Sequence, residues 1–186
     1  MINVYIDNNI WDFLLKNSLN LRDYFPAKKY RILISKYGRF EITQMPDTPD
    51  KVELKNFILS VLANDVEEVH TFGFSNPSHS ESEQRSSSFG MGSFTSVSEN
   101  KERARLKAEY GTTQKRKKSL ILYKQEADIE LGALSRTNFV LTLDKKDGPL
   151  KNASENGGKI VFLNEICPSL GSEALTLAVK FIENKI

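Results

Sequence analysis

The pattern that most limits the fold is an alternation of short apolar runs with amphipathic segments. The runs are rich in β-branched, leucine and aromatic residues, as buried strands are, and they lie at residues 3–6, 31–35, 138–143 and 159–163. A more polar run at residues 68–73 is a plausible further strand. Apolar residues at helical spacing predict helices over residues 9–17, 36–42, 50–64, 99–109, 119–135, 147–156 and 170–185. This alternation predicts an α/β fold, a three-layer α/β/α sandwich around a central, mostly parallel sheet of four to five strands.

Composition excludes several classes of protein. The chain has 186 residues, 39% of them hydrophobic, and a net charge of +2, so any nucleic-acid contact must come from a local patch. A single cysteine and two histidines exclude a disulfide framework and a Cys/His zinc cluster. Residues 1–15 lack the basic start of a signal peptide, and no apolar run has the length of a membrane span. We therefore expect a cytoplasmic protein without a membrane partner.

An unusual stretch separates the two halves of the predicted sheet. Ten of the 24 residues at 75–98 are serine, which is typical of a loop or low-complexity segment, and Phe89, Met91 and Phe94 are its apolar anchors. A charge-rich stretch follows at 99–118 and ends in a basic cluster. We interpret residues 1–186 as a single domain with a Ser-rich loop and basic insertion at about 74–118.

Four acidic residues occupy comparable positions relative to the predicted elements. Asp7 ends the first strand, and Glu41 follows the second strand by about one and a half helical turns. Asp128 lies near the middle of the helix predicted over 119–135. Asp144 ends the strand after that helix, with Asp147 close behind. Because parallel strands bring their carboxyl ends to one edge, these carboxylates are expected to meet there.

A cluster of carboxylates repels itself unless a cation offsets the charge. Oxygen ligands without Cys or His favour Mg²⁺ or Mn²⁺, which activate water and stabilise displacement at phosphorus. We expect Gly132 to let the helix that carries Asp128 approach the sheet closely. Each acid alone also has an ordinary explanation, since Asp7 or Asn8 can cap a helix and Asp128 can be a solvated residue.

The sequence around these acids resembles the PIN-domain ribonucleases. The similar segments are the opening strand and first acid, the strand followed by a Glu, the helix with the third acid, and the strand end with its Thr-x-Asp. They lie at residues 6–10, 35–42, 127–133 and 141–144. The similarity covers about residues 1–73 and 119–165.

The resemblance implies a PIN-like sandwich and an Mg²⁺- or Mn²⁺-dependent endoribonuclease that hydrolyses RNA. Asp7, Glu41, Asp128 and Asp144 would be its catalytic, metal-binding acids, with Asp147 competing for the fourth position. Small bacterial members of the family are often toxins held by an antitoxin or act in phage defence. An antitoxin or other protein partner and a homo-oligomer therefore stay open beside the RNA substrate.

Substrate contacts are expected from two regions. Asn8 and Thr142 flank the first and last acids. The cluster that ends the charge-rich stretch would contact phosphates, and it consists of Lys115, Arg116, Lys117 and Lys118. The alternative for this cluster is a solvated surface. The segment at 74–118 is longer than in the compact family pattern, so the resemblance does not extend to the choice of RNA.

Other functions fit the sequence less well. A catalytically inactive PIN-like module that binds RNA or protein is the main alternative, although none of the four acids is missing. A phosphatase of the haloacid-dehalogenase type needs an Asp where Asn9 stands. The chain also lacks a Gly-rich phosphate loop and the nucleophile elbow of a serine hydrolase.

Overall fold

The described part of the chain contains one sheet of seven strands. A computed structural model describes residues 1–77, 79–88, 92–115, 122–144 and 146–186. The strands are β1 (Ile2–Ile6), β2 (Tyr30–Ser35), β3 (Glu67–Phe72), β4 (Ser86–Ser87), β5 (Gly92–Ser93), β6 (Phe139–Thr142) and β7 (Ile160–Phe162). Their order is β4-β3-β2-β1-β6-β7, with β5 also paired to β3, and all these pairings are parallel. The predicted α/β class and mostly parallel sheet are confirmed, with more strands than the four to five expected.

Helices connect the strands and cover the sheet. They are α1 (Asn9–Lys16), α2 (Leu21–Tyr24), α3 (Lys36–Thr43), α4 (Pro49–Asn64), α5 (Val97–Tyr110), α6 (Glu126–Leu134), α7 (Pro149–Glu155), α8 (Leu163–Ile166) and α9 (Glu173–Glu183). Local chemistry sets several of their starts: Ser35 caps α3, and Ser96 with Glu99 forms a capping box on α5. Within the described residues, none of the helices has the length and apolar character that crossing a membrane requires.

Alternate residues of the central strands face two separate cores. Val4 and Ile32 pack with α1, α4 and α9 in one buried cluster. Tyr5 and Leu33 pack on the opposite face with α5, α6 and α7. A strand buried on both faces explains why β1 and β2 read as continuous apolar runs. The two cores give the layered arrangement of helices, sheet and helices.

Two predicted helix starts are wrong for backbone reasons. The helix expected from residue 119 begins at Glu126, because Gln125 has a left-handed backbone with φ of 61°. Residues 119–121 of that prediction lie outside the described residues. The terminal helix begins at Glu173 instead of residue 170, where Leu170 is also left-handed with φ of 47°. Neither residue is a glycine, so the sequence carried no signal for these breaks.

The Ser-rich segment contributes more regular structure than predicted. It contains β4, β5 and a 3₁₀ turn over Glu81–Glu83. Of its predicted anchors, Phe89 and Met91 lie outside the described residues, whereas Phe94 stacks 4.7 Å from the ring of Phe72 and stays 75% exposed. Backbone pairing to β3, more than apolar burial, therefore connects the described part of this segment to the domain.

Gly132 allows helices to pack closely against one another. The prediction that it brings α6 close to the sheet is wrong. A Cβ at this position would lie 2.7 Å from Leu106 Cδ1 in α5 and 3.3 Å from Ala153 Cβ in α7. Leu106 and Ala153 are fully buried. The missing side chain thus allows α6 to pack closely against both neighbouring helices.

We expect Gly132→Ala to lower stability despite the better helix propensity of alanine. The added methyl must displace buried Leu106, and overpacking of this kind costs about 1–3 kcal/mol. Urea unfolding measures the change. Gly148→Ala is the matched control, because a Cβ there meets no atom of the described residues closer than 4.0 Å. Equal stability of the Gly132→Ala protein and wild type would contradict this packing.

Candidate functional site

The first predicted acid lies where the strand order of the sheet reverses. The chain passes from β1 to β2 on one side, and β6 lies on the other side of β1. Open parallel sheets bind ligands outside the carboxyl ends of such strands. Asp7 directly follows β1, and its backbone N–H donates to the carbonyl of Leu141 in β6 at 3.0 Å. The first predicted acid therefore lies at the switch point of the sheet.

Side chains from three elements hold one another at this edge. The Thr142 hydroxyl and the Asn9 amide each donate to Asp7 Oδ2 at 2.6 Å. The Asn9 amide also lies 3.1 Å from the Thr142 hydroxyl, and Asn9 Oδ1 accepts the backbone N–H of Leu143 at 2.9 Å. We call Asp7, Asn9 and Thr142 the edge cluster. It joins the end of β1 and the start of α1 to the end of β6.

Thr142 has a different role from the one predicted. Its side chain is fully buried, so it does not reach a substrate in the cleft, and its assignment to substrate binding is corrected. The hydroxyl accepts the backbone N–H of Asp144 at 3.0 Å while it donates to Asp7. Thr142 is therefore a positioning residue for two of the predicted acids.

The environment of Asp7 disfavours its charged form. Burial raises the pKa of the Asp7 carboxyl above its usual range, and the neighbouring Asp144 charge raises this pKa further. Hydrogen bonds from Thr142 and Asn9 oppose the rise without cancelling it. A cation beside Asp7 would offset both the burial and the repulsion.

Glu41 is positioned by the residue that follows Asp7. Asn8 Nδ2 donates to Glu41 Oε2 at 2.7 Å and to the carbonyl of Gly38 at 2.9 Å. The indole of Trp11 donates to Asn8 Oδ1 at 2.9 Å. Both ends of the Asn8 amide are thus engaged by the protein. Asn8, predicted to bind substrate, orients Glu41 in this structure.

Asp128 lies at the start of a helix and not near its middle as predicted. Since α6 begins at Glu126, Asp128 belongs to its first turn. A carboxylate in the first turn is stabilised by the positive end of the helix dipole. The residue is half-buried and lines the same cleft as Asp7.

Asp144 and Asp147 differ in how firmly they are held. Asp144 follows β6 after one intervening residue, and its Oδ1 accepts the backbone N–H of Lys146 at 3.0 Å. Its own N–H is bound to Thr142, so both ends of the residue are fixed. Asp147 is exposed and precedes Gly148 at the start of α7. Asp144 is therefore the better-positioned fourth acid.

All five predicted acids line one open cleft of about 950 Å³. Asp12 and Glu126 add two further carboxylates to its wall, against three lysines. The basic residues are Lys51, Lys124 and Lys146. The cleft is therefore acidic, with a few cations available to contact an anionic substrate.

The chemistry of this donor set suits a hard divalent cation. Mg²⁺ keeps several waters and takes one or two protein carboxylates directly, and Mn²⁺ accepts the same oxygen ligands. Among the described residues, no three carboxylate, imidazole or thiolate groups lie close enough to share one ion. The charge of Asp144 acts on the carboxyl of Asp7, so these two acids are the candidates to hold such an ion.

The charge-rich segment is only partly available for nucleic acid. Arg103 makes two hydrogen bonds to buried Glu130, at 2.7 and 2.9 Å, and Arg105 pairs with Glu102 at 2.6 Å. Lys115 Nζ lies 4.8 Å from the ring centroid of Tyr123. The remaining predicted phosphate contacts, Arg116, Lys117 and Lys118, lie outside the described residues.

Two residues of the site carried weak or no sequence signal. From the sequence, Asn9 serves only to exclude a haloacid-dehalogenase-type phosphatase, yet its amide binds both Asp7 and Thr142. Gln44 lines the cleft with both amide atoms buried and without a hydrogen-bond partner among the described residues. An unpaired amide in a cleft wall is suited to hydrogen-bond a ligand.

Comparison of the sequence with models of known protein families and with curated proteins gives no match. The function must therefore be inferred from the residues of the cleft.

We expect Asp7→Asn to raise the melting temperature in metal-free buffer at pH 7. The folded state raises the pKa of Asp7, so its ionisation destabilises the fold as pH rises from about 3.9, the unfolded value, through the folded value. The difference in melting temperature between Asp7→Asn and the wild type should shrink toward pH 4, where the wild-type Asp7 carboxylate regains its proton. Each 1 kcal/mol gained corresponds to about 2–4 °C.

Calorimetry of both proteins across this pH range measures the effect. Asp23→Asn, which changes an exposed carboxylate on α2, is the matched control and should show no such gain. A lower melting temperature for Asp7→Asn at pH 7 would contradict the unfavourable burial of the carboxylate.

Proposed function

We propose that this protein is an Mg²⁺- or Mn²⁺-dependent endoribonuclease with a PIN-like fold. One observation carries the proposal: four acids predicted from separate sequence segments, Asp7, Glu41, Asp128 and Asp144, line one cleft at the switch point of a parallel sheet. The choice of RNA, and a role as a toxin or defence effector, come from the resemblance of the motifs.

The acidic cleft needs a compensating charge to bind a phosphodiester. Seven carboxylates line it, and the pKa of Asp7 is already raised by burial and by Asp144. When bound, Mg²⁺ or Mn²⁺ would neutralise this charge and polarise water and the phosphate. The edge cluster holds the Asp7 carboxylate in place for this purpose.

The residues of the cleft can then perform hydrolysis at phosphorus. Lys51, Lys124 and Lys146 line the cleft and attract the phosphate backbone of the substrate. The Asn8 amide fixes the carboxylate of Glu41, which can accept a proton from the attacking water. Attack of this water on phosphorus would form a new P–O bond and break the bond to one ester oxygen of the RNA, which leaves as a hydroxyl after it takes a proton from solvent.

A non-catalytic RNA- or protein-binding module is the alternative function. It is favoured by the lack, in the described ranges, of three acidic or other ligating groups close enough to share a metal ion. Such a module would bind RNA without divalent cations and would not cleave it. Activity measurements on acid variants separate the two functions.

We expect Asp7→Asn and Asp128→Asn to lower Mn²⁺-dependent cleavage of single-stranded RNA by about 10²-fold or more, the range for a lost catalytic group. Both variants should stay folded by circular dichroism. Asp23→Asn should keep wild-type activity because its carboxylate is outside the cleft. Full activity in both acid variants, or equal activity in EDTA, would exclude the metal-dependent mechanism.

Asp144→Asn should reduce turnover far more than Asp147→Asn. Asp144 is fixed through Thr142 and Lys146, whereas Asp147 is exposed. A metal ligand needs a rigidly placed side chain, because small displacements cost coordination. Comparing kcat of both variants at saturating Mn²⁺ tests the assignment. Loss of activity only in Asp147→Asn would show that the fourth acid lies three residues later.

A further inference from the structure

A second cavity, of about 300 Å³, lies on the face of the sheet that carries Tyr5 and Leu33. The first turn of α3 and residues 93–96 of the Ser-rich segment complete its wall. Its volume is at the lower end of the range for small-molecule sites. The predicted acids of the cleft do not line it, so it is a separate pocket.

The hydroxyl of Tyr5 is an unused donor in this cavity. Tyr5 is 4% exposed and lines the cavity, and its hydroxyl has no hydrogen-bond partner among the described residues. Burial, together with the charges of Glu130 and Glu99, raises the pKa of Tyr5, so the hydroxyl keeps its proton. The hydroxyl is accessible from the cavity, where a ligand can accept its proton.

The same cavity is lined by a cation that has no acidic partner among the described residues. Lys36 lines the cavity, and within the described ranges its ammonium forms no ion pair or hydrogen bond, contacting only the ring of Phe40 at 5.8 Å. Burial lowers the pKa of Lys36, and the nearby Arg85 charge lowers it further while Glu68 opposes this. A bound anion would stabilise both cations.

The backbone adds to this preference for anions. Lys36 and Tyr37 are the first two residues of α3, a helix of eight residues whose start is capped by Ser35. The first N–H groups of a helix point outward and favour negative charge. Lys36 and Tyr37 both line the cavity, so the start of α3 is part of its wall.

The two acids that line the cavity are already neutralised or bound. Glu130 accepts two hydrogen bonds from Arg103, at 2.7 and 2.9 Å, and one from Thr71 at 3.3 Å. Glu99 accepts the backbone N–H of Ser96 and the side chains of Thr137 and Asn138. Both carboxylates are therefore already engaged by donors of the protein.

We propose that this second cavity binds the phosphate group of a small phosphomonoester, held by Lys36, the Tyr5 hydroxyl and the start of α3. The site is independent of nuclease activity in the cleft. Arg85 also lines the cavity and donates to Glu126, which lines the cleft, at 3.0 and 3.2 Å. The Arg85–Glu126 ion pair is thus the wall between the two sites.

Isothermal titration calorimetry with inorganic phosphate, uridine monophosphate and uridine tests the proposal on the whole protein. Both phosphates should bind and uridine should not. Lys36→Gln and Tyr5→Phe should each weaken phosphate binding by about tenfold or more, the loss expected for a charge-assisted hydrogen bond. The matched control is Lys28→Gln, which changes an exposed lysine outside both cavities and should bind like wild type.

Thermal unfolding without ligand shows whether the variants fold. A 5′-phosphorylated oligonucleotide, compared with the same strand lacking this phosphate, distinguishes a strand end from a free phosphomonoester as the source. Absence of binding by all phosphate probes, or binding that Lys36→Gln and Tyr5→Phe leave unchanged, would overturn the proposal.

Discussion

The hydrogen bonds among Asp7, Asn9 and Thr142 are the interaction on which the site depends. They connect the end of β1, the first turn of α1 and the end of β6, where the strand order reverses. An ionised carboxylate in this position lowers the stability of the fold, because burial and the charge of Asp144 both disfavour the charged form of Asp7. Rigid placement of an unfavourable charge is a mark of functional sites, where binding of a cation or substrate offsets the cost.

Much of the fold could be predicted because its central strands are buried on both faces. Such strands must be apolar throughout, and β1, β2, β6 and β7 are therefore visible as short apolar runs. β4 and β5 could not be found in this way. Each has two residues, and their pairing depends on the backbone edge that β3 offers and not on their own side chains. The start of α6 was missed because Gln125 adopts a left-handed backbone without being glycine.

In the candidate site, too, features set by neighbouring residues could be predicted, and features set by residues distant in the sequence could not. Asp7 and Glu41 could be placed because each follows an apolar strand at a short, countable distance. The residues that orient these acids could not be predicted from local sequence. The hydrogen bond between Asn8 and Glu41 spans 33 residues, and that between Asn9 and Leu143 spans 134. The prediction for Gly132 is wrong for a similar reason. The helices that pack against this glycine, α5 and α7, contact it through residues that lie about 20 positions or more away in the sequence.

We propose that Asp7, held by the edge cluster, and Asp144 bind a divalent cation. A crystal grown with Mn²⁺ and measured at its absorption edge tests this proposal, because the anomalous signal locates the ion without reference to activity. We expect a peak in the cleft within coordination distance, about 2.0–2.2 Å, of a carboxylate oxygen of Asp7 or Asp144, with water completing the shell. An empty cleft at saturating Mn²⁺, or a peak bound only by acids outside it, would exclude metal binding by these two acids.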